Sequence, residues 1–412
     1  MPELVFDPFD PATIRSPHGV YARLRDEAPV HFQRFDAIGG GAGPRGDGGR
    51  GFFVLSRFAD VFAAARDVER FSSAQGLSID GGDREALGLL PTIVMMDPPD
   101  HTAHRRLVSR GFTPRAVAPL EPAIRAFVRD RVDVLVDRIA ADGEADVIEV
   151  LAGPLPSFVV AHYLGVPEED RTRFDGWTSA IVSANAGGDV IGGAAAAVGD
   201  LYGYFRDLIE RRRDDPGDDM ISTLVHATLG DEAVSAESVL GYAFVMVAGG
   251  NDTVTGLLGG SVELLAAHPD QWRALAGHPE LVPGALEELL RMTSPVQGLA
   301  RAVTRDVDIC GTTLPAGSRV HLLYGSANRD PREFGSGAEE LDVRREITRI
   351  MTFTSGPHHC LGASVARLQG RVALEELLAR FDHLEVDLDR AVRAPGAFVR
   401  RFEQLPMTGS VR

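Results

Sequence analysis

Between Ser235 and His268 apolar residues recur every three or four positions without a break, and Pro269 closes the run. Roughly 34 residues at about 1.5 Å rise make a rod of about 50 Å, long enough to cross a whole domain. Its middle reads Ala248-Gly249-Gly250-Asn251-Asp252-Thr253. Each glycine costs a helix about 1 kcal/mol against alanine. A pair of them inside a core helix therefore points to a packing or functional need. On local chemistry alone, Thr253 bonds back to the Gly249 carbonyl and Asp252 faces solvent or an arginine.

Much of the remaining chain also reads as helix, with segments near 17–27, 57–67, 101–110, 117–140, 167–185, 194–213, 283–292 and 362–380. Strand-like pieces are short and scattered: Gly51 to Leu55, Ala302-Val303, Val307 to Cys310 and Arg319 to Leu323. The expected fold class is mainly α with small β-sheet regions. No stretch reads as a linker and no long period repeats, so residues 1–412 are expected to form a single domain. The glycine-rich tract from Gly39 to Gly51 lacks the Gly-Lys-Ser/Thr ending of a phosphate loop and reads as a surface loop. A net charge of −17 argues against wholesale nucleic-acid binding. The first residues carry no leader pattern and no apolar run spans a bilayer, so a cytoplasmic protein without a membrane anchor is expected.

The densest string of signals is Phe353-Thr354-Ser355-Gly356-Pro357-His358-His359-Cys360-Leu361-Gly362, which leads into a helix. Cys360 has no neighbouring thiol, and small or chain-bending residues around it would let a flat ligand approach the sulfur. A lone cysteine is most often a buried small hydrophobe. A zinc site on His358, His359 and Cys360 is disfavoured, because three adjacent residues do not converge on one tetrahedral ion. Cys310 reads as filler in a short strand. With only two cysteines, neither a disulfide framework nor an iron–sulfur cluster is expected. The spacing Phe-x-x-Gly-x-His-x-Cys-x-Gly resembles the haem-binding loop of the cytochrome P-450 monooxygenases. That resemblance implies the P-450 fold, with the long central helix crossing the domain over a buried haem b. Cys360 is then the axial ligand of the haem iron, and Phe353, Gly356, His358 and Gly362 are cofactor contacts. Thr354 departs from the family in standing where a second glycine is common.

Four further strings carry the same resemblance. In the central helix, Gly249 and Ala248 become cofactor contacts beside a local opening for dioxygen, and Asp252 and Thr253 become the catalytic proton-delivering pair. In Leu286-Glu287-Glu288-Leu289-Leu290-Arg291, Glu288 and Arg291 share one helix face. Such pairs are ordinarily surface salt bridges; the resemblance implies a buried pair joined by Arg345 that holds the cysteine loop. Asp97-Pro98-Pro99-Asp100-His101-Thr102 continues to Arg105 and implies propionate contacts from His101 and Arg105, with Arg301 a further one and His358 a fourth. The turns Ser294 to Leu299 and Ala327 to Pro331 resemble those flanking the small sheet of soluble bacterial members.

The reaction implied is insertion of one atom of dioxygen into an apolar organic substrate. Candidate substrate contacts are Ile93 and Val94, within the apolar Leu89–Val94 loop, and Val245, Ala248, Val296 and Phe398. The glycine-rich stretch 186–193 reads equally as a lid or as a turn. No flavin fingerprint or cysteine cluster is present, so electrons are expected from a separate ferredoxin or flavodoxin with its reductase. Arg105, Arg106, Arg110, Arg115, Arg344, Arg367 and Arg371 would form the docking patch. A haem-based sensor or carrier without turnover, and a helical binding protein without haem, are the rival readings; the Asp252-Thr253 pair speaks against the sensor.

Overall fold

The computed structural model describes residues 4–38, 51–81, 92–187, 193–396 and 398–412. The expected rod is the helix Ala236–Ala267, 32 residues long, begun by Ser235, whose side chain accepts from the Ser238 amide. It is apolar around most of its circumference, which is the pattern of a helix enclosed by others. Pro154–Leu164, Arg171–Gly187, Gly193–Asp214, Val282–Thr293 and Ala363–Arg380 pack against it. Gly256 lets the C-terminal segment close in, since a Cβ there would stand 2.8 Å from the Arg400 carbonyl oxygen.

The segment Pro154–Leu164 escapes a periodicity search for a physical reason. Leu155, Pro156, Ser157, Val159, Val160, Ala161 and Leu164 are all buried, so no polar face marks the helical period. The short strands assemble from distant parts of the chain. The main sheet runs in the order Val30–Arg34, Gly51–Leu55, Arg319–Leu322, Leu299–Val303, Phe71–Ser72. Arg319–Leu322 lies parallel to Gly51–Leu55 and antiparallel to Leu299–Val303, with His321 opposite Val54 on one side and Ala300 on the other.

Cys310 corrects its sequence reading. The strand ends at Ile309, and Cys310 and Gly311 form the following turn with φ of 50° and 78°. Cys310 is exposed there rather than filling a strand. Residues 39–50, 89–91 and 188–192, which hold most of the glycine-rich loop, part of the Leu89–Val94 loop and the centre of the lid-or-turn stretch, lie outside the described residues. No described helix is long and apolar enough to cross a membrane.

A buried ionic clamp ties this framework to the cysteine loop. Glu288 and Arg291 sit on Val282–Thr293 with side chains 0% exposed, joined through Nε–Oε2 at 2.7 Å and Nη2–Oε1 at 2.8 Å. Arg345 Nε donates to the same Glu288 Oε1 at 3.2 Å, and the Asp342 amide does so at 3.0 Å. Arg291 Nη1 donates to the carbonyls of Asn328 and Ala338, both at 2.7 Å. Asn328 in turn accepts from the Met351 amide at 2.6 Å and donates to Thr352 Oγ1 at 2.8 Å, immediately before the loop. The surface-bridge alternative for Glu288 and Arg291 therefore does not describe this pair. Glu288→Ala is expected to lower unfolding free energy by about 3–5 kcal/mol, because it strands buried guanidinium charge. Glu287→Ala, which breaks a part-exposed pair with Arg367, should cost about 1 kcal/mol or less. Urea titrations of the two variants check the contrast, and equal losses would refute the clamp.

Candidate haem site

The cysteine loop is shaped by its own backbone. The Thr354 amide donates to Met351 O at 2.8 Å, His359 to Gly356 O at 3.0 Å and Cys360 to Phe353 O at 2.9 Å. Thr354 and Gly356 take φ of 52° and 73°. Left-handed backbone disfavours a side chain, which explains why glycine suits position 354 and shows that threonine accepts the same conformation here. Gly356 is constrained twice over, since a Cβ there would stand 2.9 Å from Arg66 Cα. Gly362 lies beside the sulfur: a Cβ on it would be 4.0 Å from Cys360 Sγ, with no other neighbour within that distance.

Cys360 retains accessible surface, yet burial pushes its thiol pKa up. A group that is both accessible and desolvated lines a recess within the fold. The Gly362 amide, Arg105 and Arg367 pull the pKa back down and so favour the thiolate. Arg367, singled out in the sequence only as a surface charge, lies 4.6 Å over the Phe353 ring and pairs with Glu287 at 2.6 Å. No local motif marked it as a neighbour of the sulfur.

The four predicted propionate contacts converge. The His358 and His101 rings are tilted at 43° with centroids 4.2 Å apart, and His358 Nε2 lies 3.2 Å from Ser73 Oγ. Asp97 anchors this corner by accepting from the Ser73 amide at 2.9 Å and from the Ser72 hydroxyl. Arg105 Nη2 donates to His359 O at 2.6 Å, bringing the helix Asp100–Val108 onto the loop. Tyr242 of the central helix holds that helix from the other side, donating to His104 O at 2.8 Å. Burial, Arg301, His101 and Arg105 push His358 down to about 3, so it is a neutral imidazole at neutral pH. Arg301 is 3% exposed, and its one hydrogen bond to a described residue goes to the adjacent Ala300 carbonyl, at 2.8 Å. Neither Arg301 nor Arg105 has an acidic partner among the described residues, and His101 Nδ1 is buried without a hydrogen bond. One buried and one half-buried guanidinium, Arg301 and Arg105, lacking counter-charge among the described residues beside an accessible thiol, fit a flat ligand with anionic edges. The donor set therefore suits haem and its propionates.

The central helix presents Gly249 as an exposed residue, with Ala248 half-buried beside it. The expected opening does not break the helix, which stays α-helical from Ala236 to Ala267. Instead, Thr253 Oγ1 donates to Gly249 O at 2.8 Å and Asn251 Nδ2 to Val247 O at 2.7 Å. Side-chain bonding to the i−4 carbonyl bends helices without interrupting them. Asp252 is buried and forms an ion pair with Arg401, which also lies 3.7 Å from Glu403. Burial raises the Asp252 pKa to about 6, with Arg401 opposing. Thr253 and Asp252 thus turn to different partners, and Arg401 is a neighbour that no sequence pattern announced.

Of the candidate substrate contacts, Ile93 is buried and Val94 half-buried on the 3-10 turn Ile93–Met95, which rests against the central helix. Val245 is half-buried on that helix, Val296 is half-buried and pairs with Val399, and Phe398 is exposed. The proposed arginine patch is smaller than its sequence outline. Arg367 is held by Glu287, and Arg371 by Glu121 and Glu375. Arg106, Arg110, Arg115 and Arg344 remain exposed, with no ion pair to a described residue.

A sequence model of the Cytochrome P450 family matches residues 277–400. "Cytochrome P450 130" of Mycobacterium tuberculosis is 54% identical over 399 residues, covering 95% of this chain and 94% of that protein. "Vitamin D(3) 25-hydroxylase" of Pseudonocardia autotrophica is 36% identical over 400 residues, covering 96% and 94%. Among solved structures, Mycobacterium marinum cytochrome P450 CYP268A2 in complex with pseudoionone superposes with a TM-score of 0.88 at 30% identity, covering 98% of this chain and 99% of that one. Likeness at this level over nearly the whole length, on a fold that gathers a thiol, uncompensated cations and a glycine-bared helix, establishes that the chain belongs to the cytochrome P450 family.

Proposed function

We propose that the chain binds haem b through Cys360 and acts as a monooxygenase, inserting one atom of dioxygen into an apolar organic substrate. The observation that carries this reading is Cys360, an accessible residue with a desolvated thiol, beside guanidiniums without acidic partners among the described residues. The bound haem supplies dioxygen activation, to which a thiolate ligand contributes electron density. His101, Arg105, Arg301 and His358 would hold the propionates, while Phe353, Gly356 and Gly362 keep the loop close to the macrocycle. Relatives named for hydroxylating vitamin D(3) or crystallised with pseudoionone support an apolar substrate. Ile93, Val94, Val245, Ala248, Val296 and Phe398 are the side chains assigned to contact it.

Proton supply falls to the central helix. Thr253 gives its one hydroxyl hydrogen to Gly249 O, which leaves its lone pairs free to accept from a proton-bearing partner. Asp252 is poised to release and recover a proton near neutral pH, held between burial and Arg401. This acid–alcohol pair favours turnover over a sensor or carrier. Electrons would come from a separate ferredoxin or flavodoxin with its reductase, docking on Arg106, Arg110, Arg115 and Arg344.

Cys360→Ser should abolish the thiolate-type absorption band of the reduced, carbon monoxide-bound protein together with substrate oxidation; a variant retaining both would overturn the proposal. Thr253→Ala should lower product formed per reductant consumed severalfold while reductant use continues. The Asp252 carboxylic-acid infrared band, absent in Asp252→Asn, should titrate near pH 6 rather than near 3.8. The folded pKa is the raised one, so this group's contribution to stability is complete below pH 3.8 and is lost as pH rises through about 6. Electron transfer should slow as ionic strength rises, and charge reversal at Arg110 or Arg115 should slow it more than reversal at the already paired Arg371.

A further inference from the structure

The C-terminal segment that closes on the central helix holds a cation between two carboxylates. Asp252 and Gly256 lie four residues apart and so share one face of that helix. The segment comes close to this face: a Cβ on Gly256 would stand 2.8 Å from Arg400 O and 3.5 Å from Arg401 Cβ. Arg401, 6% exposed, meets Asp252, 3% exposed, through Nε and Oδ1. Its Nη2 lies 3.7 Å from Glu403 Oε1. Among the described residues Arg401 is the one cation paired with either carboxylate.

The two carboxylates have opposite surroundings. Asp252 is enclosed, whereas the Glu403 side chain is 38% exposed. The strand Phe402–Gln404 pairs antiparallel with Val392–Arg393, and the register steps from Arg393 opposite Phe402 to Val392 opposite Gln404. Glu403 is therefore the extra residue of a bulge, a device that re-aims side chains at a sheet edge. The Arg401 backbone is fixed beside it, since its carbonyl accepts from the Ala394 amide at 3.1 Å. Rotation of the side chain is enough to carry the guanidinium between the buried acid and the exposed one. Burial raises the Asp252 pKa, Arg401 opposes that rise and Glu403 adds to it, so the two charged groups acting on Asp252 are the members of this cluster.

We infer that Arg401 is a positioning residue shared between Asp252 and Glu403, and that its division between them sets whether Asp252 holds a proton. A guanidinium does not deprotonate in proteins, so Arg401 directs the proton without carrying it. Leaning to Asp252, it stabilises the carboxylate. Drawn towards Glu403, it leaves Asp252 to take up one proton from water, and Glu403 becomes its counter-ion on the solvent side. The importance of this division for turnover rests on Asp252 being the proton supplier proposed above; the division itself does not.

The test uses the full-length, haem-loaded protein and the carboxylic-acid infrared band that Asp252→Asn removes. Glu403→Gln should move the titration midpoint of that band downward from about 6, because a like charge is gone and Arg401 is left to Asp252. Arg401→Gln should move it upward by at least about one unit, and Arg401→Lys should reverse much of that shift. Product formed per reductant consumed, followed against pH, should shift in the same direction as the band in each variant. If the band moves as stated and this ratio does not follow, Asp252 is not the proton supplier, while the assignment of Arg401 stands. Should Arg401→Gln fail to fold, Glu403→Gln, a change at an exposed position, still decides. A midpoint unmoved or raised in Glu403→Gln, unmoved or lowered in Arg401→Gln, or equal in Arg401→Lys and Arg401→Gln would each overturn the assignment.

Discussion

The Glu288 carboxylate has no solvent contact and four donors: Arg291 Nε and Nη2, Arg345 Nε and the Asp342 amide. An anion so enclosed persists only when its lost hydration is replaced bond for bond. That requirement sets the position of the stretch from Ala338 to Arg345 and, through Arg291 and Asn328, of the backbone at Met351 and Thr352. Cys360 is the next fixed point along the chain, tied back to Phe353 O. The place of the sulfur thus depends on an ionic network beneath the loop, in a protein whose two cysteines are both free.

Electrostatics then divides the candidate site into two kinds of environment. On the propionate side, Arg105 and Arg301 stand without acidic partners among the described residues, and His358 is kept neutral by burial and then by the cations around it. On the central helix the imbalance is reversed: Asp252 is a buried acid whose ionisation is disfavoured by desolvation and favoured by one neighbouring guanidinium. The first arrangement suits binding of a fixed anion. The second suits a proton that must come and go, because desolvation outweighs the guanidinium and lifts the pKa towards the working pH.

Several parts of this architecture were legible before any coordinates. The central helix announced itself by period and by the proline that ends it, and the first of its two glycines, Gly249, lies where the helix stays bare. Glu288 and Arg291 share a helix face by spacing, although spacing could not say that the face is buried. Pro154–Leu164 was illegible because even its less buried face carries Pro154 and Phe158, leaving no polar stripe to reveal its period. Cys310 was misread because a left-handed turn was not anticipated at a non-glycine position. Where a local opening was expected in the central helix, the helix runs on unbroken with side chains bonded to its carbonyls.

Local spacing therefore determined which residues carry chemistry and on what kind of element: Cys360 in its loop, Gly249 to Thr253 at mid-helix, His101 and Arg105 one turn apart. Tertiary structure alone decided their partners. Arg401 reaches Asp252 across the sequence, Arg367 comes over Phe353, and two of the seven patch arginines are claimed by glutamates. The reason is physical: backbone period and residue type act over a few residues, whereas burial and charge balance depend on which distant segments the folded core brings together.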